Sequence, residues 1–307
     1  MSDAAQLDRF IRAALGPHGA LLDDPEIVEL SANPNGTVFV VRLGKAPDCV
    51  GHIEAEARGR IIRFCATARG VPVTPKSPIV SARMPGAGFR FEGVIPPCAP
   101  APMFSIRFHA SRIFSMQDYI DSGTLDPAQA EQVQAALDTR QNIVVAGGTG
   151  SGKTTFLNML IGEAAKRDPD QRPVIIEDTP ELQSDLLNAV FLQSSITVDM
   201  TRLVASSLRL RPDRIIVGET RDGAALAMIK AWNTGHPGGL TSVHANSACA
   251  ALSRLDMLVC EASITPQRAV IAEAVDLVVF LAATRAGRRV TEILSVKGYE
   301  HDRFIFA

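Results

Sequence analysis

Cysteine is scarce in this chain and badly placed for metal. The five, Cys49, Cys65, Cys98, Cys249 and Cys260, are scattered without a CxxC pair. That spacing argues against a zinc module, and the odd count reads as reduced thiols in a cytoplasm. No apolar run approaches the ~20 residues a spanning helix needs, and the opening MSDAAQLDRF lacks a charged-then-apolar signal pattern. Any membrane association is therefore expected to be peripheral or through a partner. Neither charge sign is in excess. A formal net charge of −2 gives no general reason to expect nucleic acid as the main ligand, although a local basic face fits within that balance. Internal repeats and low-complexity segments are absent as well. What remains is an ordinary globular composition, 46% hydrophobic and 21% charged over 307 residues, with room for two cores.

The most informative stretch is NIVVAGGTGSGKTT, Asn142 to Thr155. Gly147, Gly148, Thr149, Gly150, Ser151, Gly152, Lys153 and Thr154 fit the phosphate-binding loop pattern at every fixed position, and Thr155 follows. Glycines let successive backbone N–H groups aim at phosphate oxygens. Lys153 is suited to the outer phosphates, and the Thr154 hydroxyl to a magnesium ion bridging them. Ile143 to Ala146 reads as a buried strand, while Phe156, Leu157, Leu160 and Ile161 recur at helical spacing. The loop thus opens a helix whose N-terminus favours an anion. The chain is expected to bind a nucleoside triphosphate.

Before this stretch the spacing of Leu7, Phe10, Ile11, Ala14 and Leu15 predicts an amphipathic helix. Asp24-Pro25-Glu26 reads as the start of a short helix through Leu30, followed by a strand at Thr37 to Val41 and a helix from Ile53 to Ala68. Phe89 to Ile95 and Met103 to Phe108 read as two antiparallel strands joined by a proline-rich loop, each carrying one arginine. From spacing alone, Arg90 and Arg107 read as a solvated face. The expected organisation is an N-terminal α+β domain over 1–109, a linker over 110–125 and an α/β domain over 126–307. Tyr119 in the linker reads as interdomain packing, with stacking on an adenine base as the alternative. Beyond Asp126 strands and helices alternate with short connections, which implies a largely parallel sheet covered on both faces. A final hairpin is expected to turn at Arg285-Ala286-Gly287-Arg288.

Ligands of such sheets collect beyond the carboxyl ends of the strands, and polar residues fall there. Val174-Ile176 ends in Glu177-Asp178 with Glu181 after it, Ile215-Val217 in Gly218-Glu219-Thr220-Arg221, and Leu240-Val243 in His244. Glu219 is the best-placed group to orient or deprotonate an attacking water; its alternative role is a helix cap. His244 alone fits a core histidine or a functional one equally, and His236 in the glycine-rich loop before it tips the pair toward function. Arg209, Arg211 and Arg214 precede the Glu219 strand. A charge run is usually a solvated face, but a ring ATPase often takes an arginine from a neighbour.

Four ordered segments carry a family resemblance: Gly147 to Thr154, IIEDTPEL from Ile175, LRLRPDRIIVGETR from Leu208, and TGHPGGLTSVHAN from Thr234. They resemble the Walker A, Asp, Walker B and His boxes of the secretion-superfamily traffic ATPases, most closely the conjugal-transfer (TrbB-type) branch of type IV secretion. RFEGVIPP (Arg90 to Pro97) and FSIR (Phe104 to Arg107) extend the resemblance into the N-terminal domain. It implies a cytoplasmic hexamer at the inner membrane that hydrolyses ATP with magnesium to power a conjugation apparatus and contacts its inner-membrane components. It also implies catalytic roles for Glu219, Lys153 and His244, and has Arg90 and Arg107 reach the nucleotide, with Glu177, Arg209 and Arg221 as further candidates. Thr154 and Glu219 are the metal candidates, and the phosphate loop with Tyr119 the nucleotide contacts. The tetracysteine module of type II secretion and many pilus motors has no counterpart here, since only Cys249 and Cys260 follow the His box. A pilus or type II-like motor, a DNA-stimulated ring translocase and a slowly turning nucleotide-responsive scaffold are the alternative readings.

Overall fold

Helix α1 (Asp3–Leu15) forms where the apolar spacing predicts it, burying Ile11 and Leu15. The computed structural model describes residues 3–42, 45–108, 113–195, 197–284 and 287–307, and the chain divides into two units, Met1–Ser111 and Arg112–Ala307. In the first, a 3-10 turn (Gly16–Asp23) leads to β1 (Ile27–Ala32), β2 (Thr37–Arg42), β3 (Asp48–His52), α2 (Ala55–Arg69), β4 (Ile79–Arg83), β5 (Arg90–Val94) and β6 (Met103–Arg107). The six strands form one antiparallel sheet in the order β3-β2-β1-β6-β5-β4. Helices α1 and α2 bury Ile11, Ile61, Ile62 and Cys65 together with the strand residues Leu30, Val38, Val40, Phe104 and Ile106.

One expectation fails in this unit. The segment expected to be helical through Leu30 is strand β1, paired on both sides by β2 and β6. Asp24 Oδ1 accepts from the Glu26 amide two residues on, a turn that diverts the chain from helix. Leu30 and Ala32 then alternate into the core, so cross-strand pairing decided the state of a locally ambiguous stretch.

The second unit contains α3 (Met116–Asp121), α4 (Pro127–Asp138), β7 (Ile143–Gly147), α5 (Lys153–Arg167), β8 (Pro173–Glu177), β9 (Val190–Gln193) and α6 (Met200–Ser207). It continues through β10 (Arg214–Val217), α7 (Ala224–Asn233), β11 (Leu240–His244), α8 (Ala248–Cys260), α9 (Arg268–Ala274), β12 (Leu277–Thr284), β13 (Gly287–Glu300) and β14 (Arg303–Phe306). The sheet order is β14-β13-β12-β7-β11-β10-β8-β9, parallel from β12 to β9 and antiparallel at β13 and β14. Ile143 and Val145 face the side covered by α3, α4 and α5, whereas Val144 and Ala146 face the side covered by α6 to α9. Burial on both faces is why β7 reads as an unbroken apolar run. Each such Val or Ile contributes about 1.5–3 kcal/mol.

The stretch expected as a linker contributes side chains to a core. Met116, Tyr119 and Leu125 are buried in the second unit, and Ser115 caps α3 through a reciprocal pair with Asp118. Residues 109–112 lie outside the described ones, as do Arg285 and Ala286 of the expected hairpin turn. The hairpin's strands pair antiparallel from Thr284 and Gly287 onward.

Candidate nucleotide-binding site

Strand β7 ends at Gly147, where the backbone passes too close to its surroundings for any side chain. A Cβ there would lie 2.4 Å from the Leu281 carbonyl oxygen and 2.5 Å from Ser151 Oγ. Gly150 (φ 73°) and Gly152 (φ 96°) then take left-handed conformations. Gly152 is the N-cap of α5 and offers no side chain to its first-turn amides. Those donors remain available to an anion, reinforced by the helix dipole. Ser151 Oγ is buried in the loop without a hydrogen-bond partner, so the loop holds a polar atom of its own unpaired. Thr154 and Thr155 occupy the first turn of α5, half-buried.

Lys153 Nζ donates to the carbonyl oxygens of Gly147 (3.0 Å) and Gly148 (2.9 Å), and lies 3.4 Å from His244 Nδ1. The sheet register explains the third contact, because His244 is directly paired with Gly147 across β11 and β7. His244 Nε2 lies 3.0 Å from Glu219 Oε1, and Arg221 Nη2 donates to Glu219 Oε2. A continuous chain Lys153–His244–Glu219–Arg221 thus runs along the carboxyl edge. A neutral His244 with its proton on Nε2 satisfies both neighbours, accepting from Lys153 and donating to Glu219. Its pKa is lowered, by burial first and by Lys153 second. Burial opposes ionisation of Glu219, but Arg221, His244 and Lys153 together hold its carboxyl below the usual range. Burial also lowers Lys153.

Glu219 is fixed from the neighbouring strand by a residue that motif spacing did not flag. Ser242 Oγ donates to the Gly218 carbonyl (2.7 Å), and the Ser242 carbonyl accepts from the Thr220 amide (2.9 Å). The peptides on both sides of Glu219 are therefore clamped by one residue of β11. Its only sequence signal is a small polar residue, next to Thr241, inside a short buried strand.

Other candidates stand elsewhere. Glu177 is buried, and its Oε1 accepts from the amides of Glu181 (2.9 Å) and Leu182 (3.1 Å), so it fastens the loop after β8. Tyr119 is 8% exposed and meets Phe156 and Phe114 edge-on, inside the second unit's core. That ring therefore packs as part of the second unit's own core. Arg209 and Arg211 are exposed in the connection entering β10. They lie at the amino end of the parallel sheet, opposite the phosphate loop, which excludes a role in the same chain's site. His236 is at that end too, before β11, with Nδ1 3.2 Å from the Ala231 carbonyl oxygen; it does not join His244. In the first unit Arg90 and Arg107 are direct cross-strand partners, with Arg83 opposite Arg90 and Glu29 opposite Arg107. Three arginines in one cross-strand row is a register effect invisible in the sequence. Like charges so placed repel; Glu29 Oε2 offsets one end, 4.0 Å from Arg107 Nη2.

Strand order and loop chemistry together define the class, a RecA-like phosphate-loop domain preceded by a smaller α+β unit. The chain belongs to the family described as Type II/IV secretion system protein, whose pattern matches residues 36–291. It is 48% identical over 300 residues to the conjugal transfer protein TrbB of Rhizobium radiobacter, covering 97% of this chain and 93% of that protein. Among solved structures it is similar to the VirB11 ATPase of the Brucella suis type IV secretion system, crystallised with sulphate. That match has a TM-score of 0.50 and 28% identity, over 95% of this chain and 96% of the other. The Legionella pneumophila ATPase DotB shares the fold, with a TM-score of 0.61 and 20% identity over 95% of this chain and 80% of that one.

Proposed function

We propose that this chain hydrolyses ATP as the motor of a conjugative type IV secretion apparatus. It would work as a homo-oligomeric ring, a hexamer, on the cytoplasmic side of the inner membrane. The observation that carries the reading is the Lys153–His244–Glu219–Arg221 chain at the mouth of an uncapped phosphate loop. Family membership supplies the secretion context. Among the described residues no helix is long and apolar enough to cross a membrane, so docking to inner-membrane components falls to a protein surface.

In this mechanism the triphosphate takes over from the Gly147 and Gly148 carbonyls as partner of the Lys153 ammonium, while the α5 amides receive its phosphate oxygens. Arg221 leaves Glu219 for the terminal phosphate, which frees Oε2 and raises the basicity of the carboxylate. Glu219, held through His244 and Ser242, accepts a proton from the attacking water as its oxygen bonds to the γ-phosphorus. The bond to the leaving ADP oxygen breaks in line. Among the described residues no cluster of three His, Cys, Asp or Glu stands ready to hold a metal. That suits magnesium, which usually arrives on phosphates and keeps several waters. The Thr154 hydroxyl would then be its protein ligand, and the Glu219 carboxylate, freed at Oε2 once Arg221 moves, would keep the base role. Bound magnesium would neutralise charge on the β- and γ-phosphates. Arg90 and Arg107 are carried as candidates by the family resemblance, and Arg209 would serve a neighbouring subunit.

The test is steady-state ATPase activity of a sized oligomer, with and without anionic lipid vesicles and single-stranded DNA. Turnover that Lys153→Ala abolishes is expected. Wild-type-like turnover in that variant would remove the phosphate-loop reading, and activity dependent on single-stranded DNA would redirect it to a translocase.

A further inference from the structure

The final hairpin reaches past the phosphate loop. Leu281 of β12 pairs with Gly147, the last residue of β7, yet β12 runs on to Thr284 before β13 returns. Arg288, near the start of β13, therefore overhangs the loop. A Cβ at Gly152 would lie 3.1 Å from Arg288 Cδ, 3.6 Å from Nε and 3.7 Å from Nη1. Strand alternation agrees: Val290, two residues on, is buried with Phe156 and Leu157 of α5, which puts Arg288 on the same side of β13 and Arg289 on the other. The guanidinium thus stands over Gly152 at the N-terminus of α5, where the helix end is itself positive. Among the described residues Arg288 has no carboxylate within ion-pair distance to offset this. Two cations and a positive helix end converge on one loop, together with the orphaned hydroxyl of Ser151. An arrangement that is repulsive by itself becomes favourable once an anion lies between its parts.

We propose that Arg288 is a nucleotide-binding residue that grips the diphosphate portion of the bound nucleotide from the hairpin side, across the loop from Lys153. The inference rests on the nucleotide-binding reading above. It gives the hairpin a function that the motifs do not assign.

The full-length chain should be titrated with ADP and with adenosine, as wild type, Arg288→Met, Arg288→Lys and Arg289→Met. Methionine keeps an unbranched stem over Gly152 and removes the charge, whereas lysine keeps both stem and charge. Loss of a charge-assisted hydrogen bond should weaken ADP about tenfold in Arg288→Met. Arg288→Lys should retain most of the affinity, adenosine binding should not change, and Arg289→Met should match wild type. ADP binding by Arg288→Met within twofold of wild type would overturn the proposal. So would equal losses in Arg288→Met and Arg289→Met, or in Arg288→Met and Arg288→Lys together with a lowered ligand-free melting temperature. A wild-type chain that binds no ADP would instead sink the nucleotide-binding reading itself.

Discussion

Glu219 is held by three different kinds of restraint. Backbone bonds to Ser242 fix its peptide, His244 orients one carboxylate oxygen, and Arg221 pairs with the other. Glu219→Gln keeps the size and loses the basicity. ATP should still bind through the loop, and turnover should fall by about 10²–10⁴-fold, the usual contribution of a general base. ATP affinity and turnover on one preparation check this; near-normal turnover with a lowered melting temperature would leave Glu219 a structural cap. Arg221→Ala gives a pH signature of known sign. Arg221 is the foremost of the groups holding the Glu219 carboxyl low, whereas burial pushes it up. Without the arginine the carboxyl should protonate at higher pH, so the acid limb of kcat/KM should move upward relative to wild type. An acid limb at the wild-type position would show that Arg221 does not set the basicity of Glu219. The same pairing stabilises the fold only while the carboxyl is ionised. That stability is present above the ordinary Glu value and lost as pH falls through the depressed one.

At the scale of elements, β11 does more than complete a sheet. It carries His244 at its end and Ser242 two residues earlier, and its pairing with β7 and β10 sets both distances. In the first unit the corresponding organiser is Arg58 on α2. Its buried guanidinium donates to the carbonyls of Pro102 (2.6 Å), Pro34 (2.8 Å) and Ile53. It thereby ties the turn before β2, the approach to α2 and the entry to β6, the strand that ends in Arg107. Arg58→Met should leave these carbonyls short of donors and destabilise that unit by about 3 kcal/mol. Amide hydrogen exchange resolved by segment should show protection falling across β1, β2 and β6 and unchanged in β7, β10 and β11. Unchanged protection in the first unit would demote Arg58 to a peripheral contact.

For the whole molecule the decisive residue is Arg209, at the wrong end of its own sheet to serve its own site. If it completes a neighbour's site, Arg209→Ala and Glu219→Gln chains should each be poorly active alone. Mixed into one ring they should regain activity, because an intact Glu219 on one chain can meet an intact Arg209 on the next. Activity in the mixture no higher than the average of the two variants would exclude a role across the interface. The four exposed cysteines, Cys49, Cys98, Cys249 and Cys260, offer labelling positions for following such mixing.

The sequence by itself determined the phosphate loop, the alternation of strand and helix around it, and the strand ends that carry Glu219 and His244. Each is a local signal, set by glycine geometry, apolar runs or the residue that follows a strand. Family motifs nominate Arg90 and Arg107, which spacing alone assigns to a solvated face. Only the tertiary structure decided which strands are neighbours, and with them the contacts of His244 with both Lys153 and Glu219. It turned the segment before Leu30 from helix to strand, because pairing with β2 and β6 outweighed a local preference. It took Tyr119 and Met116 out of an expected linker and into a core, fastened Glu177 to backbone amides, and put Arg209 and His236 at the far edge of the sheet. The Ser242 clamp and the approach of Arg288 to Gly152 depend on register between strands distant in sequence. Register is fixed by how whole faces pack, so no motif at either position could announce it.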